Sequence, residues 1–196
     1  MKIIDISQEI LSCRVYDGDP APSGERIKSM DNGEVYNLSV FSMCAHNGTH
    51  IDAPLHFIND GGAIDSMAME SFVGDCFVAV HNGEVSGDDA HKILEKAREL
   101  GADKRILIGG EAVVSEEAAL VFASAEILLL GNESQSVGPI NAPMKVHKIL
   151  LSKGIALLEG IVLEGVCEGK YLLNCAPLNL AGFDGSPCRA ILIEES

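Results

Sequence analysis

The sequence has few basic residues and no long apolar run. Lys and Arg number 14 against 29 Asp and Glu, which gives a formal net charge of −15. Nucleic-acid affinity comes largely from basic side chains, so this balance excludes a nucleic-acid partner and an anionic membrane surface. No apolar stretch approaches the ~20 residues that cross a bilayer. The opening MKIIDISQEI meets an aspartate too early for a secretion signal, and we expect a cytoplasmic protein.

Paired cysteines are also missing. The sequence has no Cys-x-x-Cys motif, and its six cysteines are Cys13, Cys44, Cys76, Cys167, Cys175 and Cys188. Most of them stand in apolar strings such as CFVAV. In a reducing cytosol this pattern indicates small buried hydrophobic side chains rather than disulfides or a zinc-thiolate site.

The composition is that of a folded protein, with 47% apolar and 22% charged residues. A length of 196 residues, without repeats or linkers, predicts one domain over residues 1–196. Strand-like runs recur: IIDIS, VYNLSVFSM, DCFVAVH, RILIGG, EILLLG, IALLEG, YLLNCA and RAILIEE. The runs RILIGG and EILLLG lack polar alternation, so we expect central strands that are covered on both faces.

Three helices are predicted between these strands. The first has Asp88 or Asp89 as its cap and stops at Gly101; the second starts at Ser115. The third is capped by Asn141, has Pro143 in its first turn and ends at residue 154. Because strands and helices alternate in the middle of the chain, the sequence predicts a mixed α/β domain built in layers.

One segment, HNGTHIDAPLH at residues 46–56, concentrates groups that bind metals. Its candidate residues are His46, His50, Asp52 and His56. Asn, Gly, Thr and Pro argue against a helix, and in an extended chain residues of equal parity share a face. His50 and Asp52 can then approach one ion, His46 can reach back to it, and Pro54 bends the chain. Imidazole and carboxylate ligands suit Zn²⁺, Mn²⁺ or Fe²⁺.

Plainer interpretations of these residues remain open. The motif can be a polar surface loop, and His81 and His91 are each interpreted as ordinary hydrogen-bonded histidines. His147 lies in the third predicted helix, and Glu159 follows an apolar run. Taken alone, those two residues indicate little.

The motif resembles a known family at every fixed position. HNGTHIDAPLH matches HxGTHxDxPxH, the signature of the cyclase-type metal-dependent hydrolases, which include bacterial kynurenine formamidase (arylformamidase) and isatin hydrolase. The resemblance continues through the DIS opening, the turn Gly18-Asp19-Pro20, VHKILLSKGIALLEGI and the closing segment DGSPCRA. It implies a swivelling β/β/α fold and a homodimer or homotetramer.

The resemblance also implies roles for individual residues. A first metal would bind His46, His50 and Asp52. A second would bind Asp52, His147 and Glu159, with Glu159 as a bridge, and His56 would donate and accept protons. The expected cofactor is one or two divalent ions per chain, Zn²⁺ before Mn²⁺, and the partner is a small-molecule substrate.

Some segments depart from the formamidase pattern. The chain has no Trp for the Gly-Asp-Pro turn, lacks an Arg-Thr-Gly segment at residues 108–111, and has Asn132 or Glu133 in place of an aspartate. These departures argue against N-formylkynurenine as the substrate. We expect specificity to depend on Phe57, Phe72 and residues 19–23.

Three functions follow from the motif. The first is metal-dependent hydrolysis of a C–N amide or lactam bond, with water activated by the metal and His56 as acid and base. The second keeps the metal but performs cyclisation or dehydration. The third is a non-catalytic protein that binds a metal or a small ligand.

Overall fold

The fold centres on a mixed sheet of nine strands, seen in a computed structural model that describes residues 1–194. From one edge to the other, the strands are β1 (Lys2–Asp5), β13 (Ile191–Glu194), β11 (Gly169–Asn174), β5 (Val73–Val80), β7 (Arg105–Gly109), β9 (Leu129–Asn132), β10 (Ala156–Glu159), β4 (His50–Asp52) and β12 (Gly185–Pro187). Two smaller sheets pair β2 (Ser23–Lys28) with β3 (Leu38–Ser42), and β6 (Gly83–Val85) with β8 (Ala112–Val114).

The middle of the large sheet is parallel. β5, β7, β9 and β10 run in one direction, because helices carry the chain back between them. Every residue of β7 and β9 is buried, which confirms the prediction that these runs form central strands. Antiparallel strands flank this core on both sides, with β4 and β12 at one end.

Three helices cover one face of the sheet: α1 (Gly87–Glu99), α2 (Glu116–Ser124) and α3 (Met144–Leu151). α2 begins as predicted, because the Ser115 hydroxyl accepts a hydrogen bond from the Ala118 amide. The predicted cap of α1 was wrong by two or three residues. Ser86 caps this helix, and Asp89 completes a reciprocal capping box with it.

The start of α3 also differs from the prediction. Pro143 occupies the position before the first helical residue, and no side chain caps this end. Asn141 lies in a turn that is closed by a hydrogen bond from the Ala142 amide to the Pro139 carbonyl. The last helical residue is Leu151, so the helix also ends before residue 154.

Two apolar clusters lie on opposite faces of the sheet. Ile106 and Ile108 of β7 pack with the helices, whereas Leu107 between them joins the second cluster with Phe72 and Leu173. This alternation follows from the period of two in a strand. The mixed α/β layers predicted from the sequence are confirmed, whereas the single domain over residues 1–196 stays a prediction.

Shorter elements complete the chain. Five 3₁₀ helices occur in residues 1–194: Ile10–Ser12, Met30–Asn32, Pro54–His56, Ile64–Ser66 and Met69–Ser71. The strand predicted over residues 189–195 begins at Ile191, and residue 195 lies outside the described residues. Within that described part, no helix has both the length and the apolar character that a membrane span would require.

Candidate metal centre

Strand β4 carries the first two candidate ligands. His50 and Asp52 lie on the same face of this strand, as the period of two predicted, and both are buried. β4 pairs antiparallel with β10, and the register places Glu159 opposite His50. The sheet therefore brings a carboxylate 109 positions further along the chain to the motif.

The remaining candidates approach from three other segments. His46 lies in the turn before β4, and His56 ends the 3₁₀ helix Pro54–His56. His147 projects from α3, and its Nε2 lies 3.0 Å from Glu159 Oε1. The structure thus brings all six predicted site residues together. Five of them line one cavity of about 410 Å³, and Asp52 lies buried beside it.

The donor atoms form a first group around Asp52 Oδ1. This oxygen lies 2.8 Å from His46 Nδ1 and 3.4 Å from His50 Nε2. His50 Nε2 is also 3.6 Å from Glu159 Oε2. Ligand atoms about 2.0–2.2 Å from a tetrahedral zinc ion lie about 3.3–3.6 Å from each other, so most of this spacing suits a shared cation.

A second group surrounds Asp52 Oδ2. This oxygen is 3.6 Å from His147 Nε2, which in turn contacts Glu159 Oε1. Asp52 Oδ2 is buried and has no hydrogen-bond partner among the described residues. A buried anionic oxygen without a partner is costly, and a cation beside it removes that cost. Asp52 and Glu159 therefore each present one oxygen to each group.

Backbone carbonyls set the orientation of two histidine rings. His50 Nδ1 donates to the Gly48 carbonyl at 3.0 Å, and His147 Nδ1 donates to the Pro143 carbonyl at 2.9 Å. In the neutral rings, Nε2 then carries a lone pair and faces carboxylate oxygens, which also only accept. Two acceptors at this distance need a cation or a proton between them. The donor set fits a divalent metal that is held through Nε2 by neutral histidines, whose Nδ1 atoms are fixed by hydrogen bonds to backbone carbonyls.

The charged groups of the cluster shift one another's pKa. Burial lowers the pKa of His46, but hydrogen bonds to Asp52 and Asp184 outweigh burial and raise this pKa to about 10. Burial raises the pKa of Asp52, yet His46 and His50 hold it well below its usual value. Asp52 is therefore a carboxylate at neutral pH. A metal ion and the extra proton of His46 compete for the same place, as is general for metal ligands.

Two residues that received no role from the sequence also belong to the site. Asp184 Oδ2 lies 3.0 Å from His46 Nε2 and 3.3 Å from His56 Nδ1. Gln135 lines the cavity, and its Nε2 donates to the Gly48 carbonyl at 3.2 Å. The segment DGSPCRA contained the signal for Asp184, whereas nothing in the sequence marked Gln135.

The cavity wall differs from the expected one. Phe57 lines the cavity, but Phe72 is 1% exposed and belongs to the core, because it packs beneath the sheet. Tyr16 places an aromatic ring on the Gly-Asp-Pro turn, although no Trp is present there. Asp19 is the only member of residues 19–23 in the described lining.

The other departures from the formamidase pattern lie away from this cavity. Glu133 accepts hydrogen bonds from the Gly110 amide at 2.6 Å and from the Leu163 amide at 2.8 Å. Gly110 and Glu133 line a separate cavity. The two altered segments therefore support each other structurally, and they do not alter the lining around the metal ligands.

Sequence comparison finds a matching family model and similar proteins of known name. A family model described as putative cyclase matches residues 4–139. A kynurenine formamidase of Erythrobacter litoralis (strain HTCC2594) is 32% identical over 206 residues, covering 98% of this chain and 94% of that protein. The similarity thus extends over nearly the whole length of both proteins.

Solved structures share the fold. A structure described as a potential metal-dependent hydrolase with cyclase activity is 27% identical, with a TM-score of 0.83 and coverage of 100% of this chain and 99% of that one. Isatin hydrolase A from Labrenzia aggregata has a TM-score of 0.84 at 20% identity, covering 99% of this chain and 94% of that one. The fold implied by the sequence motif is therefore confirmed.

Proposed function

Because the chain belongs to the Cyclase family, we propose that it is a metal-dependent hydrolase that cleaves a C–N amide bond in an arylformamide or a lactam. One observation carries this proposal above all: buried carboxylates and histidines converge beside a cavity, with their acceptor atoms turned toward one another. A relative that is a kynurenine formamidase and a structural neighbour that is an isatin hydrolase support this class of substrate.

We assign the ligands to two metal positions. His46, His50 and Asp52 would hold one ion, and Asp52, His147 and Glu159 would hold a second. The two oxygens of Asp52 support this division, since one faces His46 and the other faces His147. Zn²⁺ is the first candidate because nitrogen and oxygen donors at these spacings suit it, and Mn²⁺ is the second.

The chemistry divides between the metal and the side chains. When bound, a divalent ion would lower the pKa of a coordinated water to ~7 and polarise a carbonyl. His56 is the proposed proton shuttle. It lines the cavity, and burial lowers its pKa, so its ring is neutral at pH 7 and can accept a proton. The same ring can then protonate the leaving nitrogen.

The cavity suits a small, flat substrate. Its volume of about 410 Å³ is within the usual range of ~300–1,000 Å³ for small-molecule sites. Tyr16 and Phe57 contribute aromatic faces, and Gln135 contributes an amide. Aromatic side chains pack well against an aryl ring, which supports anilide and isatin-like substrates.

The first test is metal-dependent turnover. We expect purified protein to contain one to two equivalents of a transition metal, and to hydrolyse formanilides or isatins. EDTA should abolish turnover, and Zn²⁺ or Mn²⁺ should restore it. Stopped assays measure turnover, and plasma mass spectrometry measures the metal content. Reconstituted protein that binds metal but cleaves neither substrate class would contradict the proposal, and would favour a binding protein.

A second candidate, a metal-dependent cyclase or dehydratase, is favoured by the description of the solved neighbour as having cyclase activity. The same ligands and His56 can activate a carbonyl and move a proton without consuming water. Reaction in ¹⁸O-labelled water separates the two. Hydrolysis places the label in the product acid, whereas cyclisation leaves the product unlabelled.

We also propose that the enzyme is a homodimer that forms through the arm β2–β3. A folded monomer of this mass exposes about 8,900 Å², whereas this chain exposes 9988 Å². Apolar side chains account for much of the arm surface, including Phe41 at 61% and Ile27 at 50% exposure. An excess of about 1,000 Å² is close to what one partner buries in a standard interface.

The oligomeric state in solution tests whether this arm forms the interface. We expect light scattering to give twice the chain mass of 20.8 kDa, and Phe41→Glu to shift the protein to monomer. Leu120→Glu is the matched control, because Leu120 is 55% exposed on α2, outside the arm. A wild-type monomer at micromolar concentration would refute the interface. A tetramer that Phe41→Glu reduces to smaller species would support it.

We further propose a cytoplasmic location. All six cysteines are free, including Cys167, which is exposed. Only Cys76 and Cys175 are buried, so the prediction of buried cysteines holds for two positions. Exposed free thiols suit a reducing compartment.

A further inference from the structure

We propose that Asp184 is the positioning residue that sets the tautomer and the ring orientation of His56. The inference rests on the proposed function, in which His56 moves protons at the substrate. It adds a residue to the catalytic apparatus that lies 128 positions from His56 in the chain.

The contact geometry of Asp184 defines this role. Its Oδ2 lies 3.3 Å from His56 Nδ1 and 3.0 Å from His46 Nε2. The two imidazole rings stack with centroids 4.0 Å apart and planes at 27°. Asp184 Oδ2 therefore accepts hydrogen bonds from Nε2–H of His46, the proposed metal ligand, and from Nδ1–H of His56, the proposed proton shuttle.

The backbone holds Asp184 firmly in this place. Its carbonyl accepts a hydrogen bond from the Ala53 amide at 2.9 Å, immediately after β4. The next residue, Gly185, pairs with Asp52 in the sheet. A Cβ at Gly185 would lie 2.5 Å from His46 Cε1, so only glycine allows this close approach. Asp184 thus directly precedes β12, and its backbone is tied to the residue that follows β4.

The chemistry follows from the hydrogen-bond inventory. An ionised carboxylate only accepts, so His56 donates through Nδ1 and its Nε2 carries the lone pair. Which nitrogen of a histidine bears the proton is set by the bond that the other nitrogen makes. With Asp184 in place, Nε2 is the nitrogen that can take a proton from the reaction and return it. Phe57 packs edge-on against the same ring, at 4.5 Å between centroids, and limits its rotation.

A simpler role must be distinguished, since Asp184 also contacts His46. If it served only to orient that metal ligand, its loss would lower metal affinity and leave the His56 ring unchanged. If it positions His56, its loss would change the His56 tautomer and turnover while the metal content stays the same.

Nitrogen-15 NMR of histidine side chains in the zinc-loaded protein tests the tautomer directly. We expect His56, assigned by the signal lost in His56→Gln, to be protonated at Nδ1 in the wild type. In Asp184→Asn, we expect a mixture of tautomers or protonation at Nε2. A wild-type ring protonated at Nε2, or a tautomer that survives in Asp184→Ala, which removes the acceptor oxygen entirely, would overturn the proposal. This readout needs no substrate, so it is independent of the proposed reaction.

Kinetics supply the second readout. We expect Asp184→Asn to lower kcat by about 10–100-fold with little change in KM or metal content, the usual effect of losing an outer carboxylate. Asp184→Glu should recover part of the loss. Asp60→Asn, an exposed carboxylate outside the cavity lining, is the control.

A double variant then assigns the loss to His56. In a His56→Ala background, Asp184→Asn should cost less than about twofold, because the ring it positions is gone. A full additional loss in that background, or a fall in kcat that follows lost metal, would contradict the proposal. If no variant of this set, wild type included, cleaves an amide, the proposed function fails while the NMR result still decides the role of Asp184.

Discussion

Asp52→Asn is expected to remove metal from both proposed positions and to lower kcat/KM by at least about 10³-fold, equivalent to about 4 kcal/mol in the barrier. Asp52 faces His46 with one oxygen and His147 with the other, so its loss affects both groups at once. Asparagine preserves the shape of the side chain but carries no charge. It also turns an N–H₂ group toward one of the two groups.

Metal content by plasma mass spectrometry and turnover on the same preparation measure this effect. Asp75→Asn is the matched control, since Asp75 also lies on a strand of the large sheet but forms its ion pair with Lys170, away from the cavity. Thermal unfolding of the metal-free proteins separates lost ligation from lost folding. Retention of the full metal content by Asp52→Asn would show that the cluster is not the metal site.

His56→Ala should lower kcat by about 10²–10⁴-fold while the metal content stays within error of the wild type. His56 has a hydrogen-bond partner outside the proposed ligand set, because its Nδ1 lies 3.3 Å from Asp184 Oδ2, and its ring stacks on that of His46 with centroids 4.0 Å apart. Loss of the ring therefore removes a proton shuttle and leaves the nitrogen and carboxylate ligands in place.

The control for this prediction is His91→Ala, an exposed histidine on α1. Full turnover by His56→Ala on the true substrate would assign proton transfer to another group. A parallel loss of metal would instead place His56 among the ligands. The ring is close enough to His46 and Asp52 for this outcome, so metal content must be measured alongside turnover. Taken with the Asp52 result, the pair distinguishes ligation from proton transfer.

Local patterns carried much of the prediction. Hydrophobic runs without polar alternation identified β7 and β9, and parity placed His50 and Asp52 on one face of β4. Both inferences depend on residues a few positions apart, whose geometry the backbone alone dictates. The caps of α1 and α3 were harder to predict. Ser86, Asp88 and Asp89 can each accept the first amides of α1, whereas α3 begins after Pro143 without a side-chain cap.

The cavity wall illustrates a different difficulty. Phe72 and Phe57 have the same side chain, yet Phe72 is in the core and Phe57 lines the cavity. Nothing in the neighbouring sequence distinguishes them, since the choice depends on which loop crosses which face of the sheet. The departures at Gly110 and Glu133 were similarly misleading, because the contact between them is visible only in three dimensions.

By itself, then, the sequence determined the fold class, the motif at residues 46–56 and the chemistry that its donor atoms can perform. Tertiary structure alone decided that Glu159 lies opposite His50, that His147 reaches the same carboxylates, and that Asp184 joins two histidine rings. The physical reason is the distance along the chain over which each interaction acts. Strand periodicity and side-chain chemistry are local properties, whereas the register between β4, β10 and β12 is set by packing across the whole sheet.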